Sequence, residues 1–214
     1  MSVDVNHFIR TLRVRLLGKL PGSEAHEPLR ATPTGEVRPV FEHKVPAKPG
    51  SVLILLYEED GKLFFPLTQR ADYVGAHGGQ VSLPGGKAEP GETIEQTALR
   101  EAEEEIGVHS DQIEVIGRLS EFFVIPSNFI VTPVIAFHRT PPIFAPDPVE
   151  VAKVLHGSID DLMKDDAISV KEIIAARIYK LNAPHFLLDN QIVWGATAMI
   201  LNEFRMILQE IRES

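Results

Sequence analysis

Residues 86–108 read GKAEPGETIEQTALREAEEEIGV, and this stretch carries its own start and stop signals. Thr93 followed by Gln96 makes a capping box, so a helix is predicted to begin there. Gly107 suits the left-handed residue that ends one. Ala98, Leu99, Ala102 and Ile106 recur at helical spacing, and their apolar stripe can pack on a core. Glu101, Glu104 and Glu105 stand at i, i+3 and i+4, on one neighbouring face. Carboxylates so placed repel one another by a few tenths of a kcal/mol per exposed pair. A hard divalent cation removes that penalty, and carboxylate oxygens are what Mg²⁺ and Mn²⁺ prefer. A bare run of glutamates is usually a solvated face. The glycines, the cap and Arg100 around this one point to chemistry instead.

Composition bounds the rest. A chain of 214 residues is expected to form one domain, with additions at its ends, and to bury a sizeable core. Hydrophobic content of 44% and charged content of 24% are ordinary for a globular protein. The absence of cysteine excludes disulfides, thiolate metal sites and cysteine nucleophiles, and fits a reducing compartment. A net charge of −9 argues against a broad nucleic-acid surface. An anionic substrate would therefore need a local cation, either metal or Arg/Lys. There is neither an apolar run long enough to span a bilayer nor an N-terminal signal core, so the expected location is cytoplasmic.

Along the chain, Val5, Phe8, Ile9, Leu12, Leu16 and Leu20 predict an N-terminal amphipathic helix, with Arg10, Arg13, Arg15 and Lys19 on its other side. Such a helix can lie on an anionic surface, but more often packs on its own domain. Residues 21–50 read as an extended segment rich in Pro and Gly. Val52–Leu56 reads as a buried strand, and Asp60-Gly61 as a hairpin turn into Leu63–Thr68. Extended segments are predicted at 113–118, 121–125 and 129–137, with Pro133 marking an edge or a bulge. The four prolines of 141–148 demand a loop. A strand and a short helix fit 150–164, an extended segment fits 168–181, and a terminal helix fits about 190–212 through Trp194, Thr197, Leu201, Phe204, Leu208 and Ile211. The pattern implies a mixed sheet flanked by helices.

Upstream of the glutamate helix, residues 67–86 read LTQRADYVGAHGGQVSLPGG. Arg70, at a strand end, is a candidate phosphate clamp, because a guanidinium fork matches phosphate oxygens, although an arginine so placed is more often simply a surface residue. Gly85 and Gly86 allow close backbone approach, presenting N–H groups to a phosphate or a carbonyl to a metal. His77 reads more readily as a structural histidine than as a ligand.

The charged and glycine positions of residues 86–108 resemble the Nudix box of the Nudix hydrolases. Leu67 to Gly86 resembles the motif of the coenzyme A pyrophosphatase subgroup, with Leu83 where that subgroup carries an aromatic. Shorter likenesses recur at Ile130–Val134, Pro148–Val151 and Val193–Ala198. The resemblance implies an α/β fold: an α/β/α sandwich with a mixed β-sheet and a loop-helix-loop box. It divides the chain into an N-terminal helix and extended segment (1–49) packing on a Nudix domain (50–214). It implies Mg²⁺ or Mn²⁺ held by Glu101, Glu104, Glu105 and the Gly86 carbonyl, and substrate held by Arg70, Gly85 and Gly86. Glu104 is the preferred general base beside Glu101, with Arg100 as orienter. The implied reaction is hydrolysis of coenzyme A or acyl-coenzyme A. ADP-ribose or another nucleoside-diphosphate-linked compound is the alternative substrate, and a non-catalytic binding module the alternative class. A homodimer is one assembly open to such a chain. Glu150 is a loop residue that could approach the site or stay in solvent.

Overall fold

The structure is a computed structural model that describes residues 4–71 and 79–213. His77 and Gly78, in the glycine-rich approach, lie outside the described residues. The N-terminal helix α1 (Val5–Leu16) is capped by Asp4 and buries Ile9, Leu12 and Leu16. It packs on its own domain, with Arg13 paired to Glu114 and Arg15 to Glu210. The next segment is not purely extended. A short helix α2 (Ser23–His26) and a 3-10 turn (Glu27–Leu29) precede the two-residue strand β1 (Thr32–Pro33). Gly22, at φ 57, turns the chain inward there, and Ala25 and Leu29 are fully buried.

The central hairpin is β2 (Lys48–Glu59) and β3 (Lys62–Arg70), turned at Asp60 and Gly61, both with positive φ. Short strands β4 (Val81–Ser82) and β5 (Gly85–Lys87) lead into α3 (Ile94–Ile106). Beyond it lie β6 (Ile113–Arg118), β7 (Phe122–Val124), β8 (Phe129–His138), β9 (Val151–Ser158) and the single turn α4 (Ile159–Leu162). The chain ends with β10 (Ile168–Ala175), β11 (Tyr179–Leu188), β12 (Gln191–Trp194) and α5 (Gly195–Glu213).

The main sheet is mixed and eight-stranded, ordered β4-β3-β2-β8-β6, with β5 beside β2, β7 beside β8 and β9 beside β3. β2 and β8 run parallel at its centre. Alternate residues of these two strands face opposite layers. Leu53, Leu55, Val134 and Ala136 pack under Ala98, Ala102 and Ile106 of α3. Ile54, Leu56, Ile135 and Phe137 join the core shared with α1 and α5. Both faces are covered, which is why Val52–Leu56 is continuously apolar. The result is the α/β/α arrangement with a mixed sheet. A second, antiparallel sheet holds β1-β11-β10, with β12 on β11. Among the described residues, no helix is long and apolar enough to cross a membrane.

Three expectations need correction. Pro133 is not on an edge: β8 pairs with β2 on one side and with β6 and then β7 on the other. Pro133 falls where β6 hands over to β7, between Val134 (paired to Arg118) and Val131 (paired to Phe122), so no partner there needs its missing N–H. Residues 168–181 are not one extended segment but part of a hairpin, turned at Ala176 and Arg177 with φ 47 and 64. The terminal helix begins at Gly195; Trp194 ends β12, which is reached through Asp189 and Asn190 at φ 46 and 59.

Candidate active site

Both ends of α3 are set locally. Thr93 and Gln96 exchange the two hydrogen bonds of the capping box, and Gly107 closes the helix in the left-handed region at φ 71. The buried stripe of Ala98, Ala102 and Ile106 fixes the rotation of α3 on the sheet. That rotation turns Glu101 and Glu105 toward the β5 loop and leaves Glu104 to the outside.

Gly85 and Gly86 lie in β5, antiparallel to β2, with Gly86 opposite Ser51. Gly85 holds φ 152, and a Cβ there would collide with the Ser51 carbonyl and Val52. A Cβ on Gly86 would enter the Glu101 carboxylate. Glycine therefore lets this loop lie directly against the helix carboxylates. The Gly85 N–H donates to Glu105 Oε2 at 3.3 Å.

Arg100 is the hub of the site. Its guanidinium donates to Glu92 Oε1 (2.6 Å) and Oε2 (3.1 Å), Glu101 Oε1 (2.9 Å), Glu104 Oε2 (2.9 Å) and the Lys87 carbonyl (3.0 Å). These bonds hold Glu92 down at about 2, chiefly through Arg100 itself. Arg100 is pushed up in turn, mainly by Glu92. With its donors taken by protein oxygens, Arg100 fixes carboxylates and the loop. Sequence spacing gives no sign that Glu92 belongs to the site; its role appears only through this contact.

Glu105 is only 7% exposed. Burial pushes its carboxyl up to about 7, aided by the charges of Glu101 and Glu150 and opposed by the Gly85 N–H and the Arg70 charge. Glu101 is also raised, first by burial, with Arg100 pulling it down and Glu104 and Glu150 pushing it up. Arg70 ends β3, paired to Val151. Its Nε is buried with no hydrogen-bond partner among the described residues.

The structure thus brings Glu101 to Gly86, Glu105 to Gly85, and Arg70 and Glu150 within electrostatic reach of Glu105. It does not gather all three helix glutamates. Among the described residues, no three acidic or histidine side chains surround one point. Glu104, its side chain 61% exposed, turns outward to Arg100, which also draws on Glu101. The donors nonetheless suit a hard divalent cation: they are carboxylate and carbonyl oxygens, and the Glu101 and Glu105 carboxyls are raised first by burial and then by neighbouring carboxylates, which a cation would offset.

A helix presenting carboxylates to a glycine loop across a mixed, helix-flanked sheet makes an acidic site built of hard oxygen donors. The NUDIX domain family model matches residues 47–180, and the chain belongs to that family. Nudix hydrolase 3 of Caenorhabditis elegans is 32% identical over 173 residues, covering 74% of this chain and 72% of that protein. Nudix hydrolase 22, chloroplastic, of Arabidopsis thaliana is 36% identical over 170 residues, 72% of this chain and 53% of that one. A MutT/nudix family protein from Enterococcus faecalis superposes on the whole chain and 76% of its own, with a TM-score of 0.51 at 13% identity, a likeness of fold.

Proposed function

We propose that the chain is a divalent-metal-dependent pyrophosphatase that hydrolyses the diphosphate bond of coenzyme A and acyl-coenzyme A. The products would be adenosine 3′,5′-bisphosphate and 4′-phosphopantetheine or its acyl form. The hydrolase part of this reading is carried by the seating of Glu101 and Glu105 against Gly86 and Gly85. The choice of coenzyme A is supported by the likeness of Leu67 to Gly86 to the subgroup motif.

Glu101, Glu104 and Glu105, with the Gly86 carbonyl, would hold Mg²⁺ or Mn²⁺. When bound, the cation neutralises charge on the diphosphate and acidifies bound water. Arg70 would bind a phosphate oxygen through its planar guanidinium fork. Arg100 keeps Glu101 and Glu104 oriented by charge-assisted hydrogen bonds. Glu104, the most exposed of the three, is the carboxylate freest to take a proton from water. Residues 1–49 would act as a buttress for the hydrolase domain of 50–214, and the setting would be cytoplasmic.

The test is a panel of coenzyme A, an acyl-coenzyme A, ADP-ribose and nucleoside triphosphates with Mg²⁺ or Mn²⁺, products identified by mass. Coenzyme A should lead in kcat/KM. An ADP-ribose value tenfold higher would remove the coenzyme A assignment and leave the general hydrolase reading standing. Full turnover in excess chelator would remove the metal.

A further inference from the structure

The second sheet ends on an open edge. β10 pairs with β11 over its whole length, from Ile168 opposite Phe186 to Ala175 opposite Tyr179. β1 and β12 both lie on the other side of β11, so among the described residues no strand pairs with the outer side of β10. Every second residue of such an edge turns its N–H and C=O outward and leaves them unpaired. Two devices that usually blunt an edge are missing: β10 has no proline, and its ladder has no shift of register. Val170 is 65% exposed and Ile174 58%, on the face they share with Ile168. A long apolar edge of this kind is a template for another strand. Charge says which strand. Asp165 and Asp166 are exposed just before β10, and Arg177 is exposed just after it, in the turn to β11. None of these three has an ion-pair partner among the described residues.

We propose that β10 is a dimer edge: it pairs antiparallel with β10 of a second copy of this chain and continues the sheet across a two-fold axis. In an antiparallel pair the start of each strand meets the end of the other. Asp165 and Asp166 then approach the partner's Arg177, and the contact recurs at the far end, because a two-fold interface uses one patch twice. The strand whose charge pattern fits this edge is therefore its own. Register is limited as well. A two-fold axis normal to the sheet centres the pair on one residue, and centring on Lys171 or Glu172 would set like charges directly opposite, which destabilises. Centring on Val170 sets Ser169 against the partner's Lys171 and Ile168 against the partner's Glu172. Asp165 then stands diagonal to the partner's Arg177, a spacing that long side chains span. This interface makes no use of the glutamates of α3 and is independent of the hydrolase reading.

The experiment is sedimentation equilibrium of the full chain over a range of concentrations, at low and high salt, with amide hydrogen exchange read by mass beside it. Wild type should reach twice the chain mass, and exchange over 168–175 should slow as concentration rises. Salt should raise Kd, because the end contacts are between exposed charges. Val170→Lys sets like charges at the centre of the pair and should leave a monomer. Arg177→Asp should weaken the dimer by roughly tenfold, each lost contact counting twice. Asp165→Arg/Asp166→Arg should weaken it likewise. All three charge changes together exchange the acidic and basic ends and should recover most of the wild-type affinity, which a damaged fold could not do. A wild type that stays monomeric up to its solubility limit would overturn the proposal. So would a dimer whose Kd none of these variants changes, since its interface would lie elsewhere, or a triple variant weaker than both of its parents.

Discussion

Two glutamates are buried among the described residues, and they are treated in opposite ways. Glu203, on α5, is fully buried. Burial pushes its carboxyl up, but hydrogen bonds from His26, Ser120 and the Gly22 N–H outweigh that and hold it below the usual range. His26 Nε2 lies 3.0 Å from Oε2, Ser120 Oγ donates to Oε1 at 2.6 Å and Gly22 N–H to Oε1 at 3.0 Å. Glu105, on α3, receives one long N–H bond from Gly85 and is raised to about 7. A buried carboxylate with its donors supplied is a pin, here joining α2, α5 and the β6–β7 connection. One left short of donors among other carboxylates is destabilised until a cation or a proton arrives.

The largest expected effect belongs to the pin. Glu203→Ala strands His26, Ser120 and Gly22 without their acceptor. Breaking a buried pair in this way should cost about 3–5 kcal/mol of stability. Urea unfolding measures it, with kcat in the folded range expected near wild type. A loss below about 1 kcal/mol, the scale of an exposed ion pair, would mean the cluster is not a pin.

The pH dependence of stability should separate the two residues by sign. Glu105 is raised in the folded state, so the fold binds its proton more tightly than the unfolded chain does. Relative to Glu105→Gln, metal-free wild type should lose stability as pH rises from about 4.5 to about 7. The full difference, taken from that shift, is roughly 3 kcal/mol. Glu203 is lowered, so its contribution is present above the unfolded value and is lost as pH falls through its folded value. Saturating Mn²⁺ should raise Tm more at pH 8 than at pH 5, because a cation site needs ionised carboxylates. Equal Tm gains at both pH values would end the idea that Glu105 serves the cation.

Activity follows the other residue of the comparison. Glu105→Gln should lower kcat on the order of 10²-fold or more, about 2.7 kcal/mol, without lowering stability at pH 8. The reverse result, an active but unstable Glu105→Gln, would exchange the roles of the two glutamates.

What the sequence revealed follows the range of the interactions. The ends of α3 were legible because Thr93, Gln96 and Gly107 act within one turn of chain. The α/β/α layering was legible from the doubly apolar Val52–Leu56. The hairpin at Ala176–Arg177 was not, because neither residue carries the Gly or Asn signal that its positive φ values call for. The turn at Asp189–Asn190 did carry a local signal, but Trp194 fitted the spacing of the following helix and masked it. The Glu203 cluster joins residues 177 positions apart, a reach that no local pattern announces. The outward turn of Glu104 depends on Arg100 drawing on two glutamates at once. Helical spacing alone put all three on one face.

The smallest expected effect concerns the cation that the protein itself brings to Glu105. Arg70 acts on Glu105 by charge while its buried Nε has no partner among the described residues. Lysine in its place would keep the charge, and with it most of the pull on Glu105. It would lose the planar fork that grips a phosphate oxygen pair. Arg70→Lys should therefore lower kcat/KM by roughly tenfold, about 1.4 kcal/mol, with an unchanged melting temperature. Steady-state kinetics beside a thermal melt decide it. Unchanged kinetics would reduce Arg70 to a neighbour of the site. A large drop in Tm would make it a second pin, like Glu203, and the division between pinned and poised charges would then lie elsewhere than at the end of β3.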